Sequence, residues 1–367
     1  MKILHIINSL ETGGAEKLLV DTLPLYAARG MTVDLLLLNG APQPFLKDLA
    51  QKNCCRIFSL GTSSLYHPKY IFKIIPFFKK YDLIHVHLFP AHYYVVLAKL
   101  LSGSKVGLIL TEHNGSNRRL DNFWFRKLDR YIYRFFSRVI CISTEIKEII
   151  VRHSGLSTER FVVIENGVNV EEISKATEHH RADIHYSLAN NDKILIQIAA
   201  FREQKDQQTL IRSLKNLPSN YKLLLVGEGD LKEKCIHLVR ELGLEQRVFF
   251  LGVRMDIPQL LKTADVVVLS SKYEGLSLSS IEGMASGRPF IASDVPGLKD
   301  LVQGAGILFP LGDAQKLAEE ILRLLTNPDY YEEVVRRCRL RAQKYDLQKM
   351  VDEHIDLYTD LLSSHQT

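Results

Sequence analysis

The stretch Val266–Gly287, VVVLSSKYEGLSLSSIEGMASG, contains a complete β-loop-α unit. Its β-branched opening reads as a buried strand of a parallel sheet. The loop that follows carries Glu274 and Gly275, and helical periodicity begins near Leu278. At the start of such a helix the N–H groups of Leu278 and Ser279 have no intrahelical acceptor. Together with the turn Gly275-Leu276-Ser277 they can face an anion. Glu274 and Glu282 flank seven residues, which sets one carboxylate before the helix and the other a turn inside it. A phosphate on the helix end, one carboxylate for sugar hydroxyls and another for a ribose diol make a coherent nucleotide-sugar site.

The same unit recurs in both directions along the chain. Around it, strands are read at Lys193–Ala199, Lys222–Val226, Val248–Leu251 and Pro289–Ser293. The first half offers Lys2–Ile7, Thr32–Leu38, Asp82–Leu88, Val106–Thr111, Arg138–Ser143 and Phe161–Glu165, with helical periodicity between them over Lys17–Arg29 and Ala91–Leu101. This alternation predicts parallel sheets covered by helices on both faces. The pattern lapses over the polar residues 171–191, and from Asp313 onward only helices are read, with breaks near Pro328 and Asp346. The expectation is an α/β protein of two successive doubly wound domains, 1–170 and 171–345. A chain of 367 residues is long enough for both.

Composition narrows the class. At 46% hydrophobic and 24% charged residues the chain is globular rather than disordered or fibrous. Five cysteines without zinc spacing point to free thiols in a cytosolic protein. No uncharged apolar run approaches the roughly 18 residues of a membrane span, and the apolar opening MKILHIINSL is too short for a signal peptide. The net charge of +5 conceals an asymmetry: residues 1–170 hold 22 Lys/Arg against 13 Asp/Glu, and the remainder 25 against 29. The basic first half is therefore expected to face something anionic.

Further motifs lie where loops follow strands. In Asn8–Lys17, NSLETGGAEK, the pair Gly13-Gly14 lets backbone approach a phosphate at a helix start. The spacing is not that of a dinucleotide fingerprint, which disfavours a nicotinamide oxidoreductase. His85 and His87 alternate on one strand face. A metal there would need ligands that the neighbouring sequence does not supply, so they read as core or cleft-wall residues. TEHNGS (Thr111–Ser116) ends a strand with Glu112, His113 and Asn114 toward the cleft, where His113 can hydrogen-bond substrate or transfer a proton. In AAFREQKDQ, Arg202 and Lys205 precede a helix and can neutralise a diphosphate without metal. No D-x-D occurs among the aspartates, and no carboxylate is placed as an evident covalent nucleophile. Two segments mix cations with aromatics: Tyr66–Tyr81, with Lys69, Lys73, Lys79 and Lys80, and Asn117–Arg138, with Arg126, Lys127, Arg130 and Arg134. They suit an anionic membrane surface. The competing readings are amphipathic helices whose rings are core, and nucleic-acid binding, which rests on charge alone.

The ordered set TGGAEK, TEHN, CIS, VIENGVN, EQKD, LLLVGEG, the two-glutamate block and GRPFIASDVPG resembles retaining glycosyltransferase family 4 over nearly the whole chain. The resemblance implies the GT-B fold, two facing Rossmann-like domains with a final helix (346–367) returning to the first. It also implies that Gly14 and Lys205 contact the donor diphosphate, that Glu282 holds the ribose and Glu274 the donor sugar, and that His113 lines the reaction centre. Two positions depart from the family pattern. Ala200 stands where an arginine is common, with Arg202 offered from a shifted position, and Gly283 replaces the usual alanine. The implied enzyme is cytoplasmic and peripheral at the inner face of the cell membrane. It would move a hexose from a nucleotide sugar, such as a UDP-sugar, to a polyprenyl-diphosphate-linked glycan in bacterial surface polysaccharide synthesis (O-antigen, lipopolysaccharide or capsule). Neither cofactor, metal nor nucleic acid is expected. The rivals are a nucleotide-sugar epimerase of the same fold and a non-catalytic sugar- or lipid-binding protein.

Overall fold

The computed structural model describes residues 1–62, 64–113 and 123–364, without the side chains of residues 123, 124 and 364. Asn114 and the rest of TEHNGS beyond His113, like the start of the basic stretch at Asn117, lie outside the described residues. The chain forms two compact units, Met1–Gly167 with Leu347–Thr367, and Val168–Asp346.

The first unit is built on seven strands, β1 (Lys2–Ile7), β2 (Thr32–Leu37), β3 (Arg56–Ser59), β4 (Leu83–His87), β5 (Gly107–Glu112), β6 (Arg138–Cys141) and β7 (Phe161–Val163). They lie in the order β3-β2-β1-β4-β5-β6-β7, and every pairing is parallel. The second unit repeats the plan with β8 (Lys193–Ile198), β9 (Tyr221–Val226), β10 (Val248–Gly252), β11 (Val266–Leu269), β12 (Phe290–Ser293) and β13 (Ile307–Phe309). Their order is β10-β9-β8-β11-β12-β13, again wholly parallel. Each sheet reverses its winding at its centre, between β1 and β4 and between β8 and β11. Ligands of such sheets bind beyond the strand ends at that reversal.

The central strands are largely apolar because helices cover both faces, and all five residues of β4, its two histidines included, are buried. Two strands escape the periodicity reading, both at sheet edges. β3 is half-exposed and the three residues of β13 are closed in by Gly306 and Pro310, so neither carries a sustained pattern. The helix after β1 begins at Gly14, three residues before its apolar stripe, because extended Gly13 leads directly into it. Within the polar 171–191 segment the chain forms the short helix Arg181–Ile184, and the helix Val170–Lys175 overlaps its start, capped by the Asn169 side chain accepting from the Glu172 N–H. The last helix, Leu347–Ser364, packs on Gly14–Ala28 of the first unit. It buries Leu347, Met350, Val351, His354, Tyr358 and Leu361 on one stripe.

Candidate active site

In the second unit the reversal point is lined by two loops, Ala199–Asp206 after β8 and Ser270–Ser277 after β11. Lys205 closes a short 3-10 turn, Glu203–Lys205, and its Nζ lies 2.6 Å from Glu274 Oε1. The carboxylate side chain is only 6% exposed. It also accepts from Ser271 Oγ at 2.5 Å and from Gln204 Nε2 at 3.4 Å. A carboxylate this dry is tolerable only because several donors face it.

The lysine loop is anchored from beneath. Buried Gln197, the one polar side chain inside KILIQI, donates Nε2 to the Lys205 carbonyl at 2.9 Å. Ser270 Oγ lies 2.8 Å from the Asp206 carbonyl and 3.1 Å from Gln197 Oε1. Sequence reasoning passes over Gln197, Gln204, Ser270 and Ser271. Only Gln197 leaves a signal, as a polar residue in an apolar strand.

Beyond β11 the helix Leu278–Ala285 starts after Ser277 with no side-chain cap. Its first hydrogen bonds run from the Ser280 and Ile281 N–H groups to the Ser277 carbonyl, at 3.2 and 3.3 Å. The N–H groups of Leu278 and Ser279 thus precede the ladder and suit an anion. Glu282 is buried one turn further on. The backbone of Glu274 and Gly275 is fixed from the loop after β12. At Gly297 (φ +79°) a Cβ would fall 2.0 Å from the Glu274 carbonyl oxygen, so GRPFIASDVPG needs its final glycine for close approach. The glycine at 283 has a packing reason: a Cβ there would lie 2.8 Å from Phe290 Cδ2 and 2.9 Å from Val267 Cγ1.

Arg202 stands apart from this group. It lines a polar hollow of about 190 Å³ with Glu203, Asp206, Gln207, Lys234 and Lys272, and neither Lys205 nor Glu274 borders it.

In the first unit Gly13 is the extended residue before the Gly14–Ala28 helix. The carboxylate of Glu16 folds over that helix start, Oε2 lying 2.2 Å from where a Gly13 Cβ would be. His113 follows β5 directly and is half-buried. Behind it lies a run of imidazoles from three adjacent strands. His113 Nε2 is 3.3 Å from His87 Nδ1, and His87 Nε2 is 3.1 Å from His5 Nδ1. His85 uses both nitrogens, on Tyr358 OH at 2.6 Å and Thr111 Oγ1 at 2.7 Å. His354 Nδ1 meets Tyr26 OH at 2.7 Å. Burial holds these rings neutral, lowering His5 and His354 to about 3, His113 to about 4, and His85 and His87 well below the ordinary value.

One nitrogen each of His5, His85 and His87 lie within 4.8 Å of one another, so His5 supplies the third imidazole that the sequence reading lacked. The hydrogen bonds just described occupy every nitrogen of the three except His5 Nε2, which has no partner. Among the described residues the trio is thus a hydrogen-bonded cluster, and a single spare nitrogen does not make an ion site.

All eight cations of the basic segments, Lys69, Lys73, Lys79, Lys80, Arg126, Lys127, Arg130 and Arg134, are exposed. Several aromatics beside them are core instead: Tyr70, Phe78, Tyr133 and Phe136 are buried. Other apolar side chains do reach solvent, among them Phe72 at 64% on the helix Lys69–Ile74 and Leu101 at 63% on the neighbouring helix Ala91–Ser102, with Leu97 and Leu100 beside it. Among the described residues no helix is long and apolar enough to cross a membrane.

Two wholly parallel doubly wound units are the architecture of the GT-B fold. Residues 12–172 match the model of Glycosyltransferase Family 4, and residues 181–344 match that of glycosyl transferases group 1. The chain belongs to this family and is a retaining glycosyltransferase. It is 27% identical over 297 residues to N-acetyl-alpha-D-glucosaminyl L-malate synthase of Bacillus anthracis, covering 77% of this chain and 75% of that protein. It is 26% identical over 300 residues to UDP-Gal:alpha-D-GlcNAc-diphosphoundecaprenol alpha-1,3-galactosyltransferase of Escherichia coli, covering 77% and 76%. In fold it is similar to Anabaena HepE, solved in complex with UDP and glucose, with a TM-score of 0.84 at 23% identity over 98% of this chain and 100% of that one.

Proposed function

We propose that this enzyme transfers a hexose from a UDP-sugar to a polyprenyl-diphosphate-linked glycan at the cytoplasmic face of a membrane, without a metal ion. The relatives named above differ in acceptor by their own names, malate in one and a diphosphoundecaprenol-linked sugar in the other. The observation that carries the lipid-linked choice is the surface of the first unit, where exposed Phe72, Leu97, Leu100 and Leu101 accompany exposed lysines. Rings and aliphatic chains that enter the interface, flanked by cations worth about 1 kcal/mol each near anionic lipid, give reversible attachment.

At the donor, Lys205 is the cation assigned to the diphosphate, in preference to Arg202, because it stands beside Glu274 and Arg202 lines a separate hollow. When the donor arrives, Lys205 turns from Glu274 to phosphate and Glu274 to sugar hydroxyls. Neither buried charge is then left alone, as removing one partner outright would leave it. The Leu278 and Ser279 N–H groups take a phosphate oxygen, and Glu282 takes the ribose. His113 serves the reaction centre on the acceptor side.

The test is a screen of UDP-, GDP- and dTDP-sugars with released nucleotide as readout, with and without EDTA, together with co-sedimentation on vesicles of varied anionic lipid and salt. Turnover that needs UDP-sugar and acceptor and survives chelation is expected, with vesicle binding that weakens at high salt or without anionic lipid. An isomerised donor formed without acceptor identifies an epimerase, and absent or salt-indifferent vesicle binding removes the membrane surface from the reading.

A further inference from the structure

We infer that His87 and His5 are positioning residues that set the tautomer of His113, so that its Nδ1 faces the acceptor as an N–H donor. The inference rests on the reading of His113 as a reaction-centre residue. Three imidazoles in sequence, His5 Nδ1···Nε2 His87 Nδ1···Nε2 His113, are joined at 3.1 and 3.3 Å. Each neutral ring has one N–H, so the two hydrogen bonds are correlated: both donate outward toward His113 or both donate inward toward His5.

The inner end of the chain decides between them. His5 Nε2 is buried and has no hydrogen-bond partner. Its ring is stacked with Tyr26, centroids 5.6 Å apart, in a cavity of only about 10 Å³. Inward polarity would leave an N–H unpaired in that pocket. Outward polarity leaves only a ring lone pair, the less costly orphan, since unpaired buried donors are the rarer exception. His5 then donates to His87, His87 donates to His113 Nε2, and the remaining His113 proton sits on Nδ1. That nitrogen has no partner among the described residues.

The same dead end excludes a proton relay. A proton accepted at His113 and passed inward would leave an imidazolium at His5, fully buried, where the ring protonates only near 3. The chain is therefore a device for orientation. It is pinned at its centre: His87 ends β4, and the next residue, Leu88, holds a left-handed φ of +66°, which a branched side chain adopts only when its surroundings force it. Asn8 Nδ2 donates to the Phe89 carbonyl at 2.7 Å and ties that turn to the end of β1.

The experiment labels histidine with ¹⁵N in the full-length enzyme and reads the His113 tautomer from ring N–H correlations at neutral pH, assigning the signal by its loss in His113→Gln. The Nδ1–H form is expected in the wild type and in His87→Asn, whose amide donates from the place of Nδ1. In His87→Leu nothing donates to His113 Nε2, so the tautomer is no longer enforced and a mixture with the Nε2–H form is expected. In turnover, His87→Leu should lose about 10- to 100-fold in kcat with donor KM little changed, and His87→Asn should recover most of it. An Nε2–H wild-type ring overturns the inference without any variant. So does wild-type kcat in His87→Leu where His113→Gln is inactive, and that result leaves His113 in the reaction. A fully active His113→Gln removes His113 from the reaction and the inference with it.

Discussion

At the reversal point of the first sheet the floor is imidazole: His5, His85, His87, His113 and His354, held neutral by burial and hydrogen-bonded to one another, to tyrosines and to Thr111, with His5 Nε2 left unpaired. At the same point of the second sheet the floor is an ion pair, Lys205 with Glu274, backed by Ser271, Gln204 and Gln197. Two sheets of like topology thus meet the cost of burying polar groups in opposite ways. In the first, the groups are discharged. In the second, charge is kept and matched. On the function proposed above, a diphosphate would need a cation waiting for it, whereas an orienting imidazole would be useful only while neutral.

The widest separation of the two units should appear in acid. The folded pKa values of the imidazole cluster lie below the ordinary 6.5, so the unfolded chain binds protons first as pH falls. The stability contributed is complete above pH 6.5 and is lost progressively down toward 3–4. An imidazole held neutral in this way costs about 2 kcal/mol by pH 5, a sizeable share of the roughly 5–15 kcal/mol that usually holds a domain. In the second unit, Asp256 is held down to about 2 first by its hydrogen bond from Arg254, and its contribution is lost only below the ordinary 3.8. Hydrogen exchange followed by mass spectrometry between pH 7 and 4 should show first-unit peptides opening well before those of the second. Simultaneous opening would break the comparison.

Lys205→Ala tests the other half. It should cost roughly 2–4 kcal/mol of transition-state stabilisation, about 30- to 900-fold in kcat with a verified donor. It should also lower the stability of the second unit, because Glu274 loses its cation while nearly buried. Near-normal turnover in a folded variant would reassign the diphosphate cation.

A smaller effect is expected at Gly283→Ala, the substitution that restores the residue common in the family. Overpacking against Phe290 and Val267 costs about 1–3 kcal/mol, offset by about 1 kcal/mol of helix propensity. Thermal unfolding should show a net loss of about 1 kcal/mol on these two scales. A stabilised variant would mean that the helix carrying Glu282 has room to move off β11 and β12, and that the second site is less rigid than its packing implies.

Much of the site could be read from the chain because its signals are local. A strand, a glycine-bearing loop and a helix start lie within a few residues of one another, so the candidate roles of Glu274, Leu278, Ser279 and Glu282 follow from spacing along one β-loop-α unit. The edge strand β3 is illegible because it is half-exposed, and β13 because its three residues are closed in by Gly306 and Pro310, whereas the equally short β7 sits in the longer apolar run 161–164. Arg202 and Lys205 look equivalent in AAFREQKDQ, and one turn of 3-10 helix sends them to different surroundings.

What the sequence determined by itself is the alternation of strand and helix, the two units and the family to which they belong. All of these rest on residues near one another in the chain. Which residues share a site was decided only by tertiary structure. His5 and His87 are 82 positions apart, Lys205 and Glu274 are 69, and His85 and Tyr358 are 273. Parallel strands joined by crossovers bring such residues side by side through sheet order and register, and no local pattern encodes those.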